Sequence, residues 1–564
     1  MKPKRVVIIG ASACGAKAAA RIKRLRPDYD VAVLDRSSYI SYAACGMPYY
    51  LEGKVRRMDD LLKTTDGIVR DTQYFKDLKD IAVHTHVKAC RIDRENRRIM
   101  ATNTATGKSL TFDYDDLVLA MGAAPKMPPI PGASLQGVHH LTRMEDTEVI
   151  AREVQNREHG RAVIVGGGFI GVEAAEALKA KKWEVALLER ESQLFPGMID
   201  FEIAAMIREH FYEQMVETEF DAGILSFEGE NGQVRKIITR HHSYSADLVI
   251  VATGLAPQTE LARAAGLELG ETGALKVNAQ MQTSDPAIYA GGDLVENVHI
   301  VTGKPCYIPL GSTANKHGRV IADNICGIPS TFPGVQGTFI CKAFDYAVGA
   351  TGLSEAQAKR MGIDAFAISV CGFDKAHYYP NSQIIALKLI VENGSHKLLG
   401  LQAVGKGDVA RRIDVAATAI RLGATISDVD DLDMAYAPPF SPALDVFVTA
   451  LNVAQNVKSG MMKPVTAQEA KKLLEEDDSV LMIDVRSDLE FRRAHISSPR
   501  VVNIPLDELR RRIQEVPKDK KIICVCLLGL RGFSAQRILE GAGYSDVRTL
   551  EGGIFLWPWK EDLD

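Results

Sequence analysis

"RAVIVGGGFIGVEAAEALKAKKWEVALLER", residues 161–190, sets a short apolar strand, a glycine turn, an alanine-rich helix and a second strand in one run. Gly166, Gly168 and Gly171 stand between the first strand and the helix. In such a turn the first glycine permits the sharp bend and the last permits close packing of helix on strand. The amides that open the helix then face a pyrophosphate. Glu189 closes the second strand. A carboxylate there accepts hydrogen bonds from the free 2′-hydroxyl of NADH and repels the 2′-phosphate of NADPH. Arg190 follows it and softens that preference, so NADH is the expected dinucleotide and NADPH the alternative.

A degenerate copy lies upstream. "RVVIIGASACGAKAAARIKRL" (5–25) keeps Gly10 and Gly15 but has Ser12 where a middle glycine is usual. "DVAVLD" (30–35) ends in Asp35, which is placed for ribose hydroxyls. The two turns are 156 residues apart, counted from Gly10 to Gly166, and the pair is far more specific than either alone. Two dinucleotides imply a hydride relay from one to the other. "YDDLVLAMGAAPKMPP" (114–129) and "ADLVIVATGLAPQTE" (246–260) each run strand, Ala-x-Gly, proline. They place Gly122 and Gly254 where the chain returns between the nucleotide folds. "IYAGGDLVE" (288–296) puts Asp293 after a short strand, where an acid can bind the ribityl chain of a flavin.

The chain's 564 residues exceed one hydrophobic core, and at roughly 150 residues per domain three or four domains are expected. With 46% apolar and 25% charged residues it has an ordinary globular composition. A net charge of −4, with both signs interspersed, gives no reason to expect nucleic acid. No apolar run is long enough for a membrane span. "MKPKRVVIIG" enters a strand too short for a signal-peptide core, so a cytoplasmic protein is expected. Nine scattered cysteines include no C-x-x-C, so neither a zinc site nor any other metal site is expected, and redox chemistry falls to single thiols.

Together these motifs resemble the FAD-dependent pyridine nucleotide–disulfide oxidoreductases. The resemblance implies an α/β chain with two Rossmann-like domains and an α+β domain that completes a homodimer. FAD would be held by 1–150 and 276–325, NAD(P)H by 151–275, and the dimer interface would be 326–455. Gly10, Ser12, Ala13, Gly15, Asp35, Arg36, Gly122 and Asp293 would serve FAD; Gly166, Gly168, Gly171, Glu189 and Gly254 complete the cofactor set.

"SYAACGMPYY" (41–50) carries one cysteine, Cys45, and positions 40 and 50 are Ile40 and Tyr50 where dithiol relatives pair cysteines. The stretch therefore resembles the single-cysteine branch: coenzyme A–disulfide reductases, NADH oxidases and NADH peroxidases. There the thiol cycles through a mixed disulfide or a sulfenic acid. Cys14, Cys90, Cys326, Cys341 and Cys371 read as inert core thiols. "AHYYPN" (376–381) and "AYAPPFSPALD" (435–445) match the tyrosine pair of coenzyme A–disulfide reductases. This implies that Tyr378 and Tyr436 reach across a dimer to supply a proton or hydrogen bond at Cys45. Arg24, Ser41, Lys79 and Asn315 match positions that bind coenzyme A, whereas Ala44 stands where some relatives have asparagine.

After a linker at 456–468, "IDVR", "AHI", "NIPL", "CLLGLR" and "LEGGIFLW" follow in the order of a rhodanese domain, implied over 469–564. Cys526 ends a strand and begins the loop Cys526-Leu-Leu-Gly-Leu-Arg531, whose amides and helix start stabilise an anionic sulfur, with Arg531 expected to add a fixed catalytic cation. Four residues separate Cys526 from Arg531, the rhodanese spacing; related phosphatases have one more. Cys526 is thus expected to carry a persulfide, with Cys524 lower in the core.

The implied activity is FAD-dependent, NADH-driven reduction of coenzyme A persulfide, polysulfide or coenzyme A disulfide through Cys45. The tail would handle sulfane sulfur from polysulfide or thiosulfate and pass it to coenzyme A or glutathione. An NADH oxidase or peroxidase is the alternative, and the sequence leaves the natural acceptor open.

Overall fold

The computed structural model describes residues 3–563. Met1, Lys2 and Asp564, which the expected domain limits and the N-terminal reading include, lie outside the described residues. The chain forms two compact units, one running to Arg190 with Ala222–Val335, the other Glu191–Asp221 with Gln336 onward.

The first unit holds two parallel sheets, each built where a glycine turn was read. In one, Arg5–Ile9 is central, paired with Asp30–Leu34 on one side and Asp116–Leu119 on the other. Ile288–Ala290 and Ala82–His84 complete it. Four of these strands are short, mostly buried apolar runs, as helix-covered parallel strands must be, whereas the edge strand Ala82–His84 is only partly buried. In the other, Arg161–Val165 pairs in parallel with Glu184–Leu188 and Leu248–Val251.

In the second unit, an antiparallel sheet runs Phe339–Ala343, Tyr346–Gly352, Leu398–Gly405, Ile384–Glu392, Ala365–Phe373. Helices Ala410–Arg421 and Val446–Lys458 pack on it. A parallel C-terminal sheet follows, in the order Pro464–Val465, Val547–Leu550, Lys521–Val525, Val480–Asp484, Val501–Asn503. The α/β, α+β, α/β succession bears out the expected fold class. Pro464–Val465 already pairs with Thr549–Leu550, and the preceding helix reaches Lys458. The connection is therefore shorter than the stretch 456–468.

Helix Phe201–Glu213, which lies inside the segment read as NAD(P)H-binding, belongs to this second unit. Lys388 of the antiparallel sheet is buried, with Asp200, Glu202 and Glu355 carboxylates at 3.4, 3.1 and 2.6 Å. The segment 551–560 joins the C-terminal sheet to the same surface. Ser369 N donates to Glu551 Oε2 at 2.9 Å, Arg208 Nη2 donates to the Pro558 carbonyl at 2.8 Å, and Phe201 meets Trp559 at 6.0 Å.

Glu551 is buried, and desolvation pushes its carboxyl up to about 8; Lys388 opposes that shift and Glu202 reinforces it. A carboxyl that is protonated in the fold but ionised in the unfolded chain adds stability that is complete below about pH 4.5 and lost as pH rises through about 8. Glu551→Gln cannot ionise. Its stability advantage over the wild type is expected to grow from near zero at about pH 4.5 to a plateau above about pH 8, read from thermal unfolding across that range. Among the described residues, no helix is long and apolar enough to cross a membrane.

Candidate active sites

The first glycine turn is shaped by close backbone approach. Gly10 has φ +106°, and a Cβ there would lie 2.2 Å from the Ala120 carbonyl oxygen; one at Gly15 would lie 1.9 Å from the Gly10 oxygen. Ser12 is the N-cap of helix Ala13–Leu25 and makes no side-chain capping bond. Asp35 accepts from Ala11 N at 2.7 Å and Ser37 N at 2.9 Å, and burial raises its carboxyl above the ordinary range. The second turn repeats the design: a Cβ at Gly166 would meet the Ala252 oxygen at 2.4 Å, and Glu189 accepts from Gly167 N at 2.6 Å.

The two returning segments pair with each other. Ala123–Pro125 runs antiparallel to Leu255–Pro257, Gln258 N donates to the Gly122 carbonyl, and Lys126 N donates to the Gly254 carbonyl. Gly122 and Gly254 thus lie at opposite ends of this two-stranded ladder, and Arg36 Nη2 donates to Gln258 Oε1 at 2.9 Å at the Gly122 end. Asp293 lies in the turn Gly292–Leu294, where burial raises its carboxyl. Two residues not read from the sequence hold that turn. Gly292 N donates to His317 Nδ1 at 3.1 Å, and Tyr307 donates its hydroxyl to the Asp293 carbonyl at 2.8 Å. Burial holds His317 down at about 3, so the ring stays neutral and its Nδ1 stays an acceptor. Backbone cradles that exclude a Cβ, helix-start amides and the acids Asp35, Asp293 and Glu189 are the donor set that a flavin dinucleotide and a nicotinamide dinucleotide need.

Cys45 is exposed, in the turn Ala44–Gly46. Ser41, at φ +49°, bends the chain back so that its N donates to the Ala11 carbonyl at 2.8 Å, tying this segment to the first glycine turn. The short helix Met47–Glu52 then packs on helix Phe169–Ala180, with Tyr49 Oη 3.4 Å from Glu173 Oε1. The Cys45 thiol is raised above its ordinary value by desolvation and by the nearby Glu173 and Asp293 carboxylates. The Cys45 thiol is thus within electrostatic reach of both Asp293 and Glu173, the second of which was not read from the sequence.

Of the four residues matched to coenzyme A contacts, Arg24 and Asn315 are exposed. Lys23 and Asp80, bonded at 2.5 Å, join the ends of the helices that carry Arg24 and Lys79. Lys79 Nζ lies 5.6 Å over the Tyr74 ring, and Asn315 Nδ2 donates to the Gly311 carbonyl.

In the second unit the tyrosines meet. Tyr378 and Tyr436 are 67% and 52% exposed. The Tyr378 phenol is raised by partial desolvation and by its charge and hydrogen-bond coupling to Tyr436. Tyr379, Phe440 and Leu444 are exposed beside them in sequence.

Cys526 is buried at the end of strand Lys521–Val525, and Gly529 N points at its Sγ from 3.1 Å. Gly529 has φ +105° and caps helix Leu530–Gly541. Gly553, at φ +60°, lets the strap approach so closely that a Cβ would be 2.2 Å from the Cys526 oxygen, and Ile554 N donates to that oxygen at 2.9 Å. Arg531 is gripped by Glu490 through two bonds of 2.8 and 2.6 Å. Glu490 also accepts from Ser487 and is held down at about 2 by Arg531. Cys524 has no exposure, and burial drives its thiol far up, in keeping with a core role. Among the described residues no cluster of three potential metal ligands occurs.

Known proteins share this organisation. The profile described as pyridine nucleotide-disulphide oxidoreductase matches residues 4–318, that family's dimerisation domain matches 338–447, and a rhodanese-like domain matches 466–558. A solved NAD-dependent persulfide reductase from A. fulgidus is 44% identical, with a TM-score of 0.94 over 98% of this chain and 100% of that one. The reduced CoADR-RHD of Bacillus anthracis is 36% identical, with a TM-score of 0.93 over 100% and 99%. The CoA-dependent NAD(P)H sulfur oxidoreductase of Pyrococcus furiosus is 39% identical over 453 residues, which is 80% of this chain and 99% of that protein. With two glycine turns, a single-cysteine loop at Cys45 and matches along its whole length, the chain belongs to the pyridine nucleotide-disulphide oxidoreductases and carries a C-terminal rhodanese-like domain.

Proposed function

We propose that this protein reduces sulfur–sulfur bonds of coenzyme A persulfide, polysulfide or coenzyme A disulfide with NADH or NADPH, working as a cytoplasmic homodimer. The observation that carries this reading is Cys45, a single thiol next to Asp293 and Glu173 in a chain that also holds a second sulfur centre at Cys526. FAD would be held by the Gly10–Gly15 turn, Asp35 and Asp293, and the nicotinamide dinucleotide by the Gly166–Gly171 turn and Glu189. The chemistry FAD would supply when held there is acceptance of hydride from a nicotinamide and a two-electron supply for the Cys45 disulfide.

Cys45 Sγ attacks the incoming sulfur–sulfur bond, a thiol or hydrosulfide leaves, and Cys45 is left in a mixed disulfide that two electrons and a proton reopen. A second redox cysteine is unnecessary because the substrate brings the other half of each disulfide. The Tyr378 and Tyr436 phenols serve the departing thiolate at the partner subunit's Cys45. The exposed aromatic and apolar side chains around them support the burial of this face in a dimer. Arg24 and Lys79 supply cations for the phosphates of coenzyme A.

The Gly529 amide and the helix start hold sulfane sulfur on Cys526. Placing both centres on one chain raises their effective concentration towards a shared pool. Anaerobic NADH consumption tests the reading: rapid turnover with coenzyme A persulfide and little with hydrogen peroxide is expected, and the reverse order would favour a peroxidase. Cys526→Ser is expected to lower sulfur transfer from polysulfide to coenzyme A by roughly a thousandfold, measured with the reductant left out.

A further inference from the structure

The charge balance of the Cys526 loop narrows what it accepts. Arg531 is the one cationic residue within the loop sequence, and it does not face an incoming substrate as a free charge. Both of its terminal nitrogens are taken by Glu490, at 2.8 and 2.6 Å. Glu490 is fixed in turn by Ser487 N and Oγ, each at 3.0 Å, so the pair is locked rather than transient. The other ion pair in electrostatic reach of the guanidinium is also closed. Asp484, with no exposure, is bound by Arg486 Nη2 at 2.7 Å. Arg492 and Arg493, which end the Glu490 helix, are exposed to water, where their charge is screened. The rest of the loop is apolar: Leu527 and Leu528 are half-buried, and Leu530 is 77% exposed. Leu489 is 62% exposed.

A thiosulfate dianion gains little from a cation that is already neutralised, and it must be desolvated against leucine. At its reacting end a thiol persulfide, with coenzyme A's phosphates far along the arm, brings an apolar carbon chain and at most one charge, on the sulfur that the loop amides receive. We infer that the Cys526 loop draws sulfane sulfur from thiol persulfides in preference to thiosulfate, and that Glu490 sets this preference by neutralising Arg531. The inference rests on the proposed role of Cys526 as a sulfur carrier and replaces thiosulfate with a thiol persulfide as its donor. In the step, Cys526 thiolate attacks the outer sulfur of R–S–SH. The bond between the two persulfide sulfurs breaks, R–S⁻ leaves and takes up a proton, and Cys526–S–SH forms without an added oxidant or reductant. Glu490 and Leu530 act on specificity, not on the bond that breaks.

The test uses the full-length protein carrying Cys45→Ser, so that only the tail's chemistry is read. After reduction it receives N-acetylcysteamine persulfide or thiosulfate at equal concentration, and sulfur gained at Cys526 is followed by mass. Persulfide is expected to load at least about tenfold faster. Glu490→Gln, which frees Arg531, and Leu530→Lys, which adds a charge at an exposed position that folding does not need, should each raise the thiosulfate-to-persulfide ratio. The expected rise is about fivefold to tenfold, and it should shrink as salt is added. Equal loading in the parent, or a ratio moved by neither variant, would overturn the inference while leaving the sulfur-carrier reading in place. Loading from neither donor would overturn both.

Discussion

Replacing Cys45 with serine is expected to lower anaerobic NADH-driven sulfide release from coenzyme A persulfide by at least about a thousandfold, with FAD still bound and yellow. A hydroxyl cannot enter a mixed disulfide, and neither Cys14 nor Cys306 makes a ready substitute. Cys14, which also lies near Asp293, is buried and pushed up to about 12 by desolvation. Cys306, pushed up to about 11 by desolvation, is no better a nucleophile. The residues proposed to hold FAD do not depend on the sulfur: Gly10, Gly15 and Asp35 are held by backbone geometry, and the Asp293 turn by His317 and Tyr307. Loss of sulfide output with an unchanged flavin spectrum is therefore the signature of a missing nucleophile. Loss of both would indicate a collapsed site.

Much of this was legible from the sequence because its chemistry is local. A glycine turn is dictated by a few residues, and the structure explains why the imperfect copy still serves. At the middle position of the second turn, a Cβ on Gly168 would meet nothing within 4 Å, so the equivalent Ser12 is tolerated. The end positions are the demanding ones, and there both turns keep glycine. Cys45 and Cys526 were likewise readable, each as a thiol set in a recognisable loop.

What escaped were residues whose role comes from a distant partner. His317 supports Gly292 from a helix 25 residues on, and as a lone histidine on an apolar helix face it gives no signal of its own. Glu490 grips Arg531 across 41 residues, and Ser369 reaches Glu551 across 182. The hidden half of the second unit is the helix Phe201–Glu213, which sits within a nucleotide-binding stretch of sequence yet is anchored through Asp200 and Glu202 to Lys388. Pairings of that kind are tertiary facts that local pattern does not encode.

Arg412→Leu is expected to destabilise the second unit by about 3–5 kcal/mol, lowering its unfolding midpoint by roughly 10 °C, as measured by calorimetry. Arg412 has no exposure. It meets Asp445 through Nη2 at 2.7 Å and Nε at 3.3 Å, and donates to the carbonyls of Asp374 and Asp408 at 2.7 and 2.8 Å. Removing it strands a buried carboxylate that also caps helix Val446–Lys458 through Phe447 N, and it orphans two carbonyls. The same contacts fix the tyrosine pair. Asp374 closes the loop that carries Tyr378 by accepting from Gln383 N, while the neighbouring Arg411 holds the Ala435 carbonyl just before Tyr436. On the proposed roles, turnover should thus fall more than substrate affinity, because the phenols lose their placement while Arg24 and Lys79, proposed for coenzyme A, are untouched. Arg412→Lys should recover little, since one ammonium cannot span Asp445 and both carbonyls. The double variant Arg412→Leu, Asp445→Leu separates charge from packing. If the stranded carboxylate is the main cost, removing it should return a large part of the lost stability without restoring turnover. A double variant no more stable than the single one would assign the loss to the carbonyls and the helix cap instead.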